Sequence, residues 1–242
     1  MSHRSFYIQA LTAIVLAISL FFVGCAAKIK PPPQTAQNGS LTTNKLLDSA
    51  RSAAYSSMKQ TNRKEAKELA EKGIGYAEQC LMHAPENAGC HYWRAVNTGL
   101  FYKIRVVGYQ RGIKQMIEDC KSVIAVNPKY DNAGAYRILG RIYTKLPQTG
   151  AHTESVTRDL TLAEEYLSKA TQLAPDYPEN YLALADTFVG QGKIQEAISA
   201  LASAKELAPH WKGDISYDDW KMEMRKLEKK IAKKSTRSTS GD

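Results

Sequence analysis

Four stretches of the chain end alike. Each closes on a proline, at Pro85, Pro128, Pro175 and Pro209, and the positions five, eight and twelve residues earlier are small or aliphatic every time. They are Cys80, Ala77 and Gly73 in the first stretch, and Val123, Cys120 and Met116 in the second. The third has Ala170, Leu167 and Ala163, and the fourth Ala204, Leu201 and Ala197. Those offsets fall on one narrow face of a helix that can approach a neighbour closely. The proline then stops the helix, because it cannot donate the next hydrogen bond. The chain is therefore predicted to be an internal repeat of helices, and strand signals are nearly absent.

The last unit also shows the partner helix. Tyr181, Leu184, Ala185 and Phe188 form one stripe, and Gly190-Gln191-Gly192-Lys193 turns the chain into the helix that ends at Pro209. Residues 178–209 resemble a tetratricopeptide repeat almost position for position. Tyr136, Leu139, Gly140 and Tyr143 match the first helix of the unit ending at Pro175, and Trp93, Val96 and Leu100 that of the unit ending at Pro128. The prolines are 43, 47 and 34 residues apart, so only the last interval has the period of about 34 that this repeat prefers. The surplus is expected between the paired helices, around residues 105–112 and 147–156, as candidate recognition loops. A further amphipathic helix starting near Asp218-Asp219 carries Trp220, Met224, Leu227 and Ile231 on one side and is expected to cap the array, as solenoids require. The expected fold is all-α: a tetratricopeptide-repeat-like α-solenoid of antiparallel helix pairs over residues 41–234, with a C-terminal capping helix and a disordered tail at 235–242.

Ahead of the repeats, residues 6–23 form an apolar run preceded by Arg4 and followed by Gly24-Cys25. This reads as a bacterial lipoprotein signal over residues 1–24, with Cys25 diacylated and left as the first mature residue. The alternative is a retained single transmembrane anchor; both readings export the domain. Residues 25–40, including Lys28-Ile29-Lys30-Pro31-Pro32-Pro33, read as a flexible tether. Ala26 stands where an aspartate retains many such lipoproteins in the inner membrane, which favours the outer membrane.

The net charge is +9, yet residues 221–237 alone hold eight basic and two acidic side chains. The basicity thus belongs mostly to the capping helix, where a solvated face is the ordinary explanation and contact with anionic lipid the alternative. No nucleic-acid module is recognisable. Cys80 and Cys90 flank a short turn and are expected to form a disulfide in an oxidising compartment, whereas metal binding by Cys80, His83, Cys90 and His91 is disfavoured because adjacent helical side chains diverge. Cys120 is expected as a buried thiol. No nucleophile and base pairing, carboxylate pair or phosphate loop is apparent, so neither an enzyme, a cofactor nor a metal is expected.

Binding is then the expected use, and the first helix of each unit supplies the concave face: His91, Arg94, Thr98 and Tyr102, then Arg137, Arg141 and Thr144, then Glu179, Leu182 and Asp186. Arg94, Arg137 and Arg141 are placed to converge on a carboxylate of a small organic acid or a partner's acidic side chain, against the alternative of ordinary solvated arginines. Beyond the repeat, Cys90-His91-Tyr92-Trp93, Gly99-Leu100, Asn127-Pro128-Lys129-Tyr130-Asp131, residues 134–143 and Leu146-Pro147 look like the T component of tripartite ATP-independent periplasmic (TRAP) transporters. That family shows a glycine pair after Leu-Pro, where this chain has only Gly150. The resemblance implies a periplasmic scaffold that associates with a substrate-binding protein and holds a hydrophobic or acidic ligand. His91-Tyr92-Trp93-Arg94-Ala95-Val96 and residues 163–184 are also similar to the regulator of microtubule dynamics proteins, a likeness that with an export signal speaks to fold rather than role. The leading expectation is a lipid-anchored envelope scaffold accessory to a solute transporter. The alternatives are an assembly lipoprotein for outer-membrane proteins or pili and a binder of small organic acids.

Overall fold

Each repeat proline lies just past a helix end. The computed structural model describes residues 35–105, 107–150 and 152–239. Among them the helices are α1 (Thr35–Lys59), α2 (Arg63–His83), α3 (Ala88–Ile104), α4 (Tyr109–Val126), α5 (Tyr130–Lys145), α6 (Leu160–Leu173), α7 (Pro178–Gln191), α8 (Ile194–Leu207) and α9 (Tyr217–Thr239), with a 3₁₀ turn at Ala208–Trp211. Helices α2, α4, α6 and α8 each stop two residues before Pro85, Pro128, Pro175 and Pro209. All twelve repeat-face residues named above are buried. The described residues contain no strand, and the fold is an all-α, tetratricopeptide-repeat-like solenoid of helix pairs α1–α2, α3–α4, α5–α6 and α7–α8, closed by α9.

Residues 39–242 form one compact unit. Its core has two large parts and a small cluster of Leu167, Ala183 and Leu184. Tyr92, Trp93, Val123 and Leu139 belong to the one around α3–α5, while Leu182, Leu201, Trp220 and Leu227 belong to the one under α9. The pair α7–α8 turns through Gly192, whose φ of 80° is a left-handed conformation that costs a glycine little. Cys80 and Cys90 are joined by a disulfide with a Cα–Cα distance of 5.8 Å, tying the end of α2 to the start of α3. Cys120 is buried and unbonded, and burial pushes its thiol well above the usual range.

The structure departs from the sequence reading at several margins. Helix α1 begins at Thr35, inside the stretch expected as tether, and α9 runs to Thr239, into the expected tail. Residues 105–112 are not a long loop. Helix α3 runs to Ile104 and α4 starts at Tyr109, and the added length lies in these two helices, at 17 and 18 residues against 14 each for α7 and α8. Gly112 is a packing glycine rather than a loop glycine, since a Cβ there would enter the Tyr102 ring. Helix α5 ends at Lys145 and α6 starts only at Leu160, so the connection between them is long. It is pinned to α4 by Gln110, whose side-chain amide donates to the Val156 carbonyl and accepts from its N–H, both at 3.0 Å. No described helix is long and apolar enough to cross a membrane. The signal region, with Cys25, lies outside the described residues.

Candidate binding groove

The inner faces of α3 and α5 stand side by side with the end of α1 and the start of α4, enclosing a groove of about 980 Å³. Its floor is apolar: Val96 and Leu100 from α3, Ile113 and Met116 from α4, Ile138 and Ile142 from α5. The helical period alone explains this stripe, because these residues lie three or four apart on each helix. One edge, at the N-terminal ends of α3 and α5, is aromatic and acidic. Tyr55 and Tyr92 each meet the Trp93 ring edge-on, at 5.3 and 5.2 Å, and Asp131 and Asp214 lie beside them. The opposite edge carries Tyr102, Lys103, Lys145 and Pro147.

Four of the ten residues assigned to the concave face line this groove: Tyr102, Arg137, Arg141 and Glu179. The others do not. His91 and Arg94 turn instead to Asp119 on α4, a carboxylate 1% exposed; Nδ1 of His91 lies 2.7 Å from it, and Arg94 donates through Nε and Nη2 at 3.0 and 2.6 Å. The second ring nitrogen of His91 is 2.8 Å from the Pro85 carbonyl. A buried carboxylate needs such partners, which takes both side chains out of the expected arginine cluster. Asp186 is covered by α9, clamped between Lys145 and Lys230. Burial alone would raise its pKa, but hydrogen bonds from the two ammonium groups outweigh it and hold the carboxyl below its ordinary value.

The remaining arginines are not free to receive an acid. Arg137, 5% exposed, donates Nη1 to the Asn180 side chain at 3.0 Å and to the Asn132 carbonyl at 3.2 Å, and Nη2 to Asp131 at 3.2 Å. Its Nε lies 3.3 Å from Glu179, and its guanidinium stacks 4.8 Å from the centre of the Tyr177 ring. Burial works against its charge, but Glu179, Asp131 and the neighbouring tyrosines hold its pKa above the usual value. Arg141 is shared by Glu223 of α9, at 3.0 and 3.1 Å, and Glu179, at 3.3 Å. Each guanidinium already faces two carboxylates.

Arg137 also holds an unusual piece of backbone. Asp131, Asn132 and Ala133 have φ of 49°, 55° and 60°, a left-handed turn of three residues with side chains, after which α5 continues right-handed. Such a conformation costs about 1–2 kcal/mol per residue, less for Asp and Asn. The guanidinium bonds to the Asn132 carbonyl offset that cost, with Asn180 Nδ2 donating to the same oxygen at 3.1 Å. The Tyr92 hydroxyl donates to the Asp131 carboxylate; burial, then that carboxylate, raises the tyrosine pKa well above normal. Gly134 makes the approach feasible, since a Cβ there would lie 2.5 Å from the Tyr92 oxygen.

Sequence reasoning missed Asp131, Asp214 and the aromatic edge. Asp-Asn after Lys129-Tyr130 is the one signal available, as these residues tolerate left-handed backbone best. Asp214 sits in an aperiodic turn before α9 and accepts the Ser216 N–H at 2.7 Å. Burial, then Glu179 and Asp131, raises its pKa despite that hydrogen bond. Among the described residues no group of His, Cys, Asp or Glu is placed to hold a metal ion.

Comparison with solved structures finds the thermophilic TPR protein TTC0263 of Thermus thermophilus, 20% identical, with a TM-score of 0.48 over 77% of this chain and 98% of that one. The MamA protein is similar at 18% identity, with a TM-score of 0.46 over 84% of this chain and 97% of that one. No curated protein matches in sequence. A family model, regulator of microtubule dynamics protein 1-3, matches residues 41–232, from α1 into α9. The chain belongs to the regulator of microtubule dynamics protein 1-3 family.

Proposed function

We propose that this protein is a lipid-anchored scaffold of the cell envelope that holds a segment of a partner protein in the groove between α3 and α5. The groove carries this reading: an apolar floor about 980 Å³ in volume, rimmed by polar side chains, suits a few residues of another chain. The Gly24-Cys25 context after an apolar run supports acylation of Cys25, and Ala26 supports the outer membrane. The likeness of residues 90–147 to the TRAP transporter T component supports a solute-binding protein as the partner. An exported chain does not meet microtubules, so the family bears here on fold. The pairing of Arg137 and Arg141 with Glu179, Glu223 and Asp131 weighs against the organic-acid alternative.

Two experiments test it. Radiolabelled palmitate is expected to enter the full-length protein and not the Cys25→Ala variant; equal labelling would sink the anchor. A photo-crosslinking amino acid at Tyr102 in the native envelope is expected to capture a periplasmic solute-binding protein. Capture of outer-membrane or pilus components would establish the assembly role instead. No protein adduct at Tyr102, with adducts forming at exposed Lys72, would remove the groove as the binding surface.

A further inference from the structure

The charges around the groove are not balanced along its length. Three carboxylates that line the groove, those of Asp131, Glu179 and Asp214, stand with two guanidiniums, those of Arg137 and Arg141, and Arg141 is paired in addition with Glu223 of α9, outside the lining. Asp131 commits one oxygen to Arg137 and Tyr92 and keeps a side-chain exposure of 32%, whereas Glu179 commits one oxygen to Arg137 and the other to Arg141. Asp214 has no ion-pair partner among the described residues, and its carboxylate accepts from the Ser216 N–H. Tyr55, Tyr92 and Trp93 form the wall next to these acids, and the face of an aromatic ring favours a cation. Apart from Arg137 and Arg141, the bases that line the groove are at the other edge, and Arg51, near Tyr55, is paired with Asp48 at 2.8 Å. Lys145 is committed to Asp186, and Lys103 lies ten residues beyond Trp93 on α3, about 15 Å along the helix. Between the edges the floor is apolar.

Building on the groove reading above, we propose that the occupant is a partner-protein segment with a basic side chain that seats against Asp214 and Asp131 beside the Tyr55–Trp93 wall, while its aliphatic side chains cover the floor toward Tyr102. This reverses the acidic partner expected from the arginines. The guanidiniums of Arg137 and Arg141 serve as internal counter-ions, and the uncompensated charge at that edge is negative. A lysine or arginine there gains an ion pair in partly desolvated surroundings together with a cation–π contact. An acidic segment meets repulsion at the same place, so the edge sets orientation as well as preference.

The test uses the full-length protein in nanodiscs of neutral lipid and three fluorescent peptides of sequence X-Gly-Leu-Ile-Leu-Gly, acetylated and amidated, with X as Lys, Gln or Glu. Fluorescence anisotropy is expected to rank Lys over Gln over Glu, with about tenfold between the first two. Asp214→Asn is expected to erase most of the difference between the Lys and Gln peptides. Asp214 makes no hydrogen bond or ion pair with Arg137, and the side-chain bond it accepts from the Ser216 N–H is open to an asparagine oxygen, so this variant is expected to keep its fold, to be checked by circular dichroism. If the three peptides bind equally and all are lost in Leu100→Asp, the charge preference falls and the groove stands. If none binds, both fall. A ranking that survives Asp214→Asn, or a dimer in sedimentation that the Lys peptide leaves intact, also overturns the proposal.

Discussion

Helices α5 and α7 hold equivalent places in successive repeats and have opposite fates. Helix α7 belongs to the unit of ideal period, enters on Pro178, leaves on Gly192, and is overlaid by α9. Helix α5 begins in a strained left-handed turn, leads into a long connection, and keeps Ile138, Arg141 and Ile142 on an open groove. The regular unit thus uses its inner face to close the array, and the irregular one retains a surface for binding. Whether the inner face of a repeat is free depends on the next elements of the chain, which its own apolar stripe does not reveal. Asp186 and Asp131 illustrate this: the first, expected in the groove, is clamped beneath α9, and the second, not expected, is on the rim.

The strongest way to break the contrast is Arg137→Met. The variant removes the buried cation that Asp131 and Glu179 share and takes away the donors to the Asn132 carbonyl. Breaking a buried pair from one side costs about 3–5 kcal/mol. Urea unfolding should show a loss of that order, with hydrogen exchange accelerated at the start of α5 and unchanged in α8. A loss below about 1 kcal/mol would mean that the left-handed turn is held by packing alone.

Next in size is the bond between Cys80 and Cys90, with a sequence separation of 10. Closing a loop this short restricts the unfolded chain by about 2–3 kcal/mol. Reduction, or the double change Cys80→Ser and Cys90→Ser, should lower the midpoint of unfolding correspondingly. Because the bond lies at the junction of α2 and α3, away from α9, the docking of α7 under the cap should be unaffected, as read by Trp220 fluorescence.

The regular elements were legible because they repeat. Four prolines in register with Gly73, Met116, Ala163 and Ala197 identify both the helix ends and the buried faces, and the amphipathic period of Trp220, Met224, Leu227 and Ile231 marks the cap. Cys80 and Cys90 were legible because their separation is local. The pairing of His91 and Arg94 was not, since Asp119 reaches them across helices from 28 and 25 residues away, and a helical period states which face a side chain occupies without naming its counter-ion. Gly112, at the end of the stretch expected as a loop, lies inside α4, where it admits the Tyr102 ring. Asp214 escaped because one acid in an aperiodic turn has no pattern to stand out from.

Acidity offers a smaller effect with opposite signs at the two ends. The pKa of Asp186 is lowered in the folded state, so its contribution is present at neutral pH and is lost as the pH falls below about 4. That of Asp214 is raised, so the folded state holds its proton more tightly, and stability falls as the pH rises from about 4 through the folded value. Asp186→Asn should cost about 1 kcal/mol at pH 7, because both lysines are half exposed, and should flatten the acid limb of a stability profile. Asp214→Asn should raise stability slightly at pH 7 and not at pH 3.

The smallest effect isolates the strain itself. Asn132 has φ of 55° and lines the groove, and Arg137 and Asn180 use its carbonyl rather than its side chain. Asn132→Gly therefore keeps every bond to the turn and removes the Cβ from a conformation that glycine adopts freely, while adding to the entropy of the unfolded chain. Asparagine tolerates this region better than most residues, so the two terms nearly cancel and the net change should lie within about 0.5 kcal/mol. The same substitution at Asn180 removes the side-chain contacts to Arg137 and to the Asn132 and Ala170 carbonyls and should be far more damaging. If Asn132→Gly stabilises by well over 1 kcal/mol, the turn stores strain that its hydrogen bonds leave uncompensated, and the open repeat has kept its binding edge at the expense of stability.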